Sequence, residues 1–178
     1  MTTTFDFNDG NGPVPAHKHF NGGGWVADTA KVADTAYVGP YAQVFDTAQV
    51  YDNARVFGEA CVYDNAKVYG SAWVYDNAKV YGSAWVYGSA KVYDSAKVYG
   101  SSNVYDNAWV SGNARVFDNA RVYDNARVYG SARVYGSAWV YVDTSYRPSD
   151  RAEKSDTNED IFIEMNNKRY RLVEVEKS

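Results

Sequence analysis

Ala66-Lys67-Val68-Tyr69-Gly70-Ser71, followed at once by Ala72-Trp73-Val74-Tyr75-Asp76-Asn77, decides the fold. Within each six residues, four alternate small, variable, Val and aromatic, the period-two signature of a strand. Two residues of turn chemistry follow, where Asn or Gly is expected to take positive φ at little cost. Working outward, Val recurs at every sixth residue from Val26 to Val140, twenty times without a miss. An Ala sits two residues before each Val from Val32 onward, except at Ser102. A fixed short period means one structural unit stacked on itself, so the chain is expected to be a β-solenoid. Alternation points Ala and Val inward and sends the variable residue and the aromatic outward.

This register is similar to that of the hexapeptide-repeat superfamily, with its aliphatic residue at i and small residue at i+4, as in Val68 and Ala72 or Val122 and Ala126. The resemblance covers residues 24–143 and departs at the residue after the aliphatic, which here is mostly Tyr. It implies an all-β, left-handed parallel β-helix, a triangular solenoid of three hexads per coil and six to seven coils. At ~4.8 Å per coil the prism would be roughly 30 Å long. Left-handed crossovers depart from the usual chirality rule, so handedness rests on the resemblance alone.

Composition fits a soluble β protein. Hydrophobic residues make up 46%, yet Leu and Ile are almost absent, because the core is Val and Ala. Each buried Val should contribute ~1.5–2 kcal/mol before ordering entropy is set against it. The single cysteine, Cys61, excludes an intrachain disulfide and suits a reducing compartment. The N-terminus has no apolar run, so neither signal peptide nor membrane span is expected. That points to the cytoplasm of a bacterial host, or to a virion. A net charge of −4 argues against a generic nucleic-acid binder.

Flanking pieces complete the organisation. Residues 1–23 are rich in Gly and Asn and are expected to cap the first coil, whose open edge would otherwise invite pairing. The period ends near Asp143, and 144–159 is polar and charged, a flexible linker. Residues 160–178, with Ile161-Phe162-Ile163-Glu164-Met165, Asn166-Asn167 and Tyr170-Arg171-Leu172-Val173, predict a β-hairpin. A lone hairpin is marginal in water, so it should dock on the last coil, on a neighbouring subunit or on a partner.

Stacking at eighteen residues turns the variable position into three columns, one per face. The first runs Lys31, Gln49, Lys67, Trp85, Asn103, Arg121, Trp139, and the second Tyr37, Arg55, Trp73, Lys91, Trp109, Arg127. The third runs Trp25, Gln43, Cys61, Lys79, Lys97, Arg115, Arg133. On the second, Trp73, Lys91, Trp109 and Arg127 alternate aromatic and cation, which suits cation–π stacking at ~0.5–1 kcal/mol per exposed contact. On the third, Lys79, Lys97, Arg115 and Arg133 stand in line, a candidate anion-binding stripe. The bland alternative is that long side chains simply cover an exposed sheet, with corner acids such as Asp64, Asp76, Asp94 and Asp118 offsetting them. The Tyr ladders, Tyr69 to Tyr141 and Tyr63 to Tyr99, stabilise a solenoid by stacking. So much outward aromatic surface also suits subunit packing, and the resemblance implies trimers packed along flat faces.

No catalytic residue is assigned. The acyltransferases of the superfamily imply a His in or near the coils and a loop that breaks the repeat; here the repeat is unbroken and holds no His. Its carbonic anhydrases need three His, and this chain has two. Ser102 replaces an inward Ala and is expected to be a core hydroxyl. Ice binding wants a regular Thr array, whereas Thr29, Thr35 and Thr47 lie at one end only. His17 and His19 carry the one metal-like signal: an extended His-x-His points both imidazoles to one side. Three chains about a threefold axis would offer six nitrogens to a transition metal, an arrangement that locally resembles some phage fibre tips. The alternative is that both His belong to a polar cap and bind nothing.

His17-Lys18-His19-Phe20-Asn21-Gly22-Gly23-Gly24-Trp25-Val26-Ala27 and the C-terminal Ile163 to Val173 look like uncharacterised hexapeptide-repeat proteins of bacteria and their phages. The expectation is a non-catalytic scaffold or binding protein that presents aromatic and cationic faces to a protein or other partner, with no resident cofactor. Two alternatives stand beside it: a trimeric virion or surface-fibre component with a His-x-His metal site, and an acyltransferase-like or nucleotide-binding protein with an intersubunit site.

Overall fold

A computed structural model describes residues 3–142, 161–165 and 168–173. The expected linker, 144–159, lies outside the described residues. Short strands begin with β1 (Thr4–Phe5), β2 (Val14–Lys18) and β3 (Trp25–Ala27). Nineteen more follow at six-residue spacing, from β4 (Lys31–Val32) to β22 (Trp139–Val142), and then β23 (Ile161–Met165) and β24 (Lys168–Val173). The twenty strands from β3 to β22 form three parallel sheets, three strands to a turn, so the solenoid makes more than six turns. The described residues form an all-β solenoid, as the period predicts.

Register is constant. Lys67 pairs with Trp85 and Val68 with Val86, eighteen residues on, and the same step repeats on every face. The backbone accounts for this spacing. The variable residue and the aromatic each donate an N–H to a carbonyl of the next turn, as in Lys67 to Ala84 (2.9 Å) and Tyr69 to Val86 (3.0 Å). At most corners the inward Ala donates back to the carbonyl three residues earlier, as in Ala66 to Tyr63 (3.3 Å). A two-residue strand therefore satisfies its polar groups only in the stack.

Inside, the Val and Ala columns form one contiguous core in which most members are wholly excluded from solvent. Ser102 is as buried as the Ala it replaces, and its hydroxyl lies 2.8 Å from the Tyr99 carbonyl and 3.2 Å from that of Val116. It is a core hydroxyl.

The corners depart from expectation. Positive φ falls on the first turn residue, never on the Asn: eight corner Asp, Asp46 to Asp124, stand at φ 55–58°. Gly fills the other corners from Gly58 to Gly136 at φ 65–70°, whereas Asp28, Asp34 and Pro40, in the first three corners, do not take positive φ. The αL site is the one that alternates Asp with Gly, because Asp tolerates αL and its short side chain can bond locally.

At the N-terminal end, β2 pairs antiparallel with β3, and β1 with β2. Phe7, Ala16, Ala27 and Phe45 make a small second cluster beneath these strands. At the other end β24 pairs antiparallel with β22, from Trp139 opposite Val173 to Val142 opposite Tyr170, and β23 pairs with β24. The hairpin thus extends the first face of its own chain.

Candidate functional site

The three columns are real and in register, but their chemistry differs. On the second face the cations are sandwiched. Arg55 lies 5.1 Å from both the Tyr37 and Trp73 rings, Lys91 5.0 Å from Trp73 and 4.9 Å from Trp109, and Arg127 4.5 Å from Trp109. Each contact is a cation–π pair in its own right. Trp73, Lys91, Trp109 and Arg127 are therefore brought together as expected, and they satisfy one another. The first face repeats the device in pieces, with Lys67 over Trp85 (4.7 Å) and Arg121 over Trp139 (5.2 Å).

The third face has no such spacer. Lys79 stands opposite Lys97, Lys97 opposite Arg115, and Arg115 opposite Arg133 in consecutive turns. Arg133 lies over Phe117 at 5.4 Å. Among the described residues Lys79, Lys97 and Arg115 have neither ion-pair nor ring partner; the one ion pair there is His17 with Asp28. Like charges directly opposite one another destabilise a sheet, so this column is held against its own repulsion. Cys61 precedes it; burial pushes its thiol up from the ordinary range, Lys79 opposing.

Beside that face runs an aromatic ladder longer than the one read from sequence: Phe7, Phe45, Tyr63, Tyr81, Tyr99, Phe117 and Tyr135, successive rings stacked 4.8–5.4 Å apart. Tyr69, Tyr87, Tyr105, Tyr123 and Tyr141 stack likewise. Ring faces are turned to the neighbouring turns. Burial, reinforced by the neighbouring phenols and acids, pushes Tyr63 and Tyr105 up to about 12.

Corner acids, read from sequence only as charge balance, have a definite partner. Asp46, Asp52, Asp64, Asp94 and Asp118 each accept the backbone N–H of the corner residue one turn on, at 2.9–3.1 Å. An eighteen-residue offset between Asp and the next αL residue is the signal that would have found them.

The His pair is not arranged as an extended His-x-His predicts. β2 ends at Lys18, so strand alternation does not carry to His19. His17 is exposed with Nδ1 2.8 Å from Asp28, whereas His19 is buried, its Nδ1 3.3 Å from the Asn21 carbonyl. Among the described residues no group of three or more His, Cys, Asp or Glu gathers to hold a metal ion.

A repeating strand pair, an αL corner and an eighteen-residue register define a β-solenoid repeat protein. Its repeat is similar to the family described as YdcK Beta solenoid repeat, whose model matches residues 48–61, 60–76, 72–88, 108–124, 114–130, 120–136 and 126–141. No curated protein and no solved structure matches the chain.

Proposed function

We propose that this chain is a non-catalytic β-solenoid scaffold that presents a face of in-register side chains to a partner. The observation that carries the reading is the third-face column, Lys79, Lys97, Arg115 and Arg133, whose first three members lack any ion-pair or ring partner among the described residues. The second face, where Trp73, Lys91, Trp109 and Arg127 occupy one another, is the secondary candidate and first of all a brace. A non-catalytic role is supported by the polar groups that could have served chemistry: Ser102 is bonded into the core, His17 is held by Asp28 and His19 is buried. Kinship with the hexapeptide-repeat superfamily and its bacterial and phage members rests on the Val and Ala register and belongs to this reading.

The test is affinity capture from a bacterial extract by the full chain and by a Lys79→Gln/Lys97→Gln/Arg115→Gln/Arg133→Gln variant with unchanged circular dichroism. A component retained by the first and lost by the second is the expected result. Recovery of the same set by both overturns the assignment, and loss only with Trp73→Ala/Trp109→Ala moves the interface to the second face.

A further inference from the structure

We propose that the edge of the second face holds a binding slot for one planar aromatic ring of the phenol class, set over Ser111 between Tyr93 and Tyr129. The site stands apart from the third-face column and does not depend on it.

After each inward Val comes an outward residue, and from Phe45 to Tyr141 it is Phe or Tyr in every hexad except at Ser111. Phe57, Tyr75 and Tyr93 stack 4.9–5.0 Å apart, with planes only 3–4° from parallel. Tyr93, Ser111 and Tyr129 continue that column, because Lys91, Trp109 and Arg127 pair in register just before them. Turns recur at ~4.8 Å, so the Tyr93 and Tyr129 positions lie ~9.6 Å apart. That is two stacking steps with the middle ring missing.

The surroundings do not close the vacancy. Tyr93 donates its N–H to the Val110 carbonyl at 3.0 Å and Ser111 to that of Val128 at 2.9 Å, the same step as on the rest of the face. The turns therefore do not draw together around the short side chain. Trp109 stands beside the slot, edge-on to Tyr93 at 6.4 Å and 77°. Trp73 takes the same place beside Phe57 and Tyr75, where the ladder is complete. Lys91 at 4.9 Å and Arg127 at 4.5 Å clamp the Trp109 ring, which holds it out of the gap. A vacancy whose walls keep their places takes up a small apolar molecule of the missing shape.

Those walls select the ligand. Ring positions one step above and one step below favour a flat π-system, and the depth is that of a single Tyr side chain. Lys91 and Arg127 are engaged with Trp109, and the corner acid Asp94 accepts the Gly112 N–H at 2.9 Å. Recognition therefore falls to stacking rather than to charge. A phenol has the shape and polarity of the group that nearly every other hexad supplies at this position. Nothing beyond the ring is required to complete the column, which favours a free small molecule over the side chain of a partner.

The experiment is equilibrium dialysis of the full chain against labelled p-cresol, the missing side chain as a free molecule, with melting temperature followed in parallel. Expected are saturable binding and a melting temperature that rises with p-cresol concentration. Ser111→Tyr supplies the ring covalently and should weaken binding at least about tenfold, whereas Ser111→Ala leaves the slot vacant and should change it by less than about threefold. Tyr87→Ser, with circular dichroism unchanged, opens an equivalent gap between Tyr69 and Tyr105 and should add a second site. 1-Adamantanol, apolar but thicker than a ring, should not bind. Absence of saturable p-cresol binding, equal binding by Ser111→Tyr, no added site in Tyr87→Ser, or equal binding of 1-adamantanol overturns the proposal. Tighter binding of acetyl-tyrosinamide than of p-cresol also overturns it, and assigns the slot to a partner's side chain instead.

Discussion

The Asp64 carboxylate accepts the backbone N–H of Gly82, one turn on, at 2.9 Å, while the N–H of Asp64 itself donates to Asp46 at 3.1 Å. The αL corner thus directs an N–H along the solenoid axis, and an Asp in the preceding corner accepts it. Asp64 stands at φ 56°, a conformation that costs most side chains ~1–2 kcal/mol. Asp64→Ala should lose the bond, about 1 kcal/mol, and incur the conformational cost as well. Asp64→Gly gives up only the bond, and Asp64→Asn keeps both the αL tolerance and an acceptor. Chemical denaturation should therefore rank Asn most stable, Gly next and Ala last. If Ala equals Asn, the carboxylate bond contributes nothing.

The opposite substitution probes the same corner. A Cβ placed on Gly82 would lie 2.9 Å from the Gly100 backbone nitrogen, at φ 68°. Gly82→Ala should destabilise by more than about 1 kcal/mol. Gly82→Asp should cost less, since its carboxylate can accept the Gly100 N–H as Asp64 accepts that of Gly82. Equal melting temperatures for the two variants would contradict this.

These corners also mark where the sequence is legible and where it is not. The Val and Ala register locates every inward side chain and, through the eighteen-residue step, all three outward columns, because in and out follow from strand alternation alone. It does not say which of two turn residues takes αL. Asp and Asn both tolerate that region and both carry an acceptor oxygen, so the composition of the turn alone does not choose between them. The cation–π contacts of Lys91 and Arg55 were readable from the column, whereas the unpaired state of Lys97 and Arg115 was not, since nearby Asp94 and Asp118 look like partners until their carboxylates turn out to bond the backbone. For His17 and His19 no period applies, so the end of β2 at Lys18, which separates their environments, has no sequence signal.

Ser111 interrupts an aromatic column. Phe57, Tyr75 and Tyr93 stack at 4.9–5.0 Å below it, and the next member of the register is Tyr129. Ser111→Tyr should restore the missing ring between Tyr93 and Tyr129 and raise stability by about 1–2 kcal/mol, at ~0.5–1.5 kcal/mol per aromatic pair. Conversely Tyr87→Ser, which removes a ring lying 4.8 Å from Tyr69 and 4.9 Å from Tyr105, should cost a similar amount. Thermal melts check both; a neutral Ser111→Tyr would mean that stacking adds nothing beyond covering the sheet.

Ser102 tests the core in the same way. Val116 already accepts the Tyr99 N–H at 2.9 Å, whereas among the described residues the Tyr99 carbonyl accepts from Ser102 Oγ alone, so Ser102→Ala should cost no more than about 1 kcal/mol. Ser102→Leu must force the turns apart and should cost about 1–3 kcal/mol. A large loss in Ser102→Ala, measured by denaturant midpoint, would assign the hydroxyl a role the hydrogen bonds do not provide.

The ladders finally set a limit at high pH. Burial, with the neighbouring phenols and acids, raises Tyr63 and Tyr105 to about 12, and Tyr69, Tyr75, Tyr81, Tyr87 and Tyr123 shift in the same direction for the same leading reason. In the unfolded chain each ionises near pH 10. Below that value both states hold the proton, and the ladders contribute their full stability. Above it the unfolded chain releases protons that the folded one keeps, so stability falls as pH rises from about 10 toward 12. Ultraviolet absorbance of tyrosinate and circular dichroism, followed in one alkaline titration, should change together, with ionisation held back until the sheets unfold. The Tyr87→Ser variant should unfold at lower pH. Gradual ionisation near pH 10 with the solenoid intact would show that the stacked phenols are solvated.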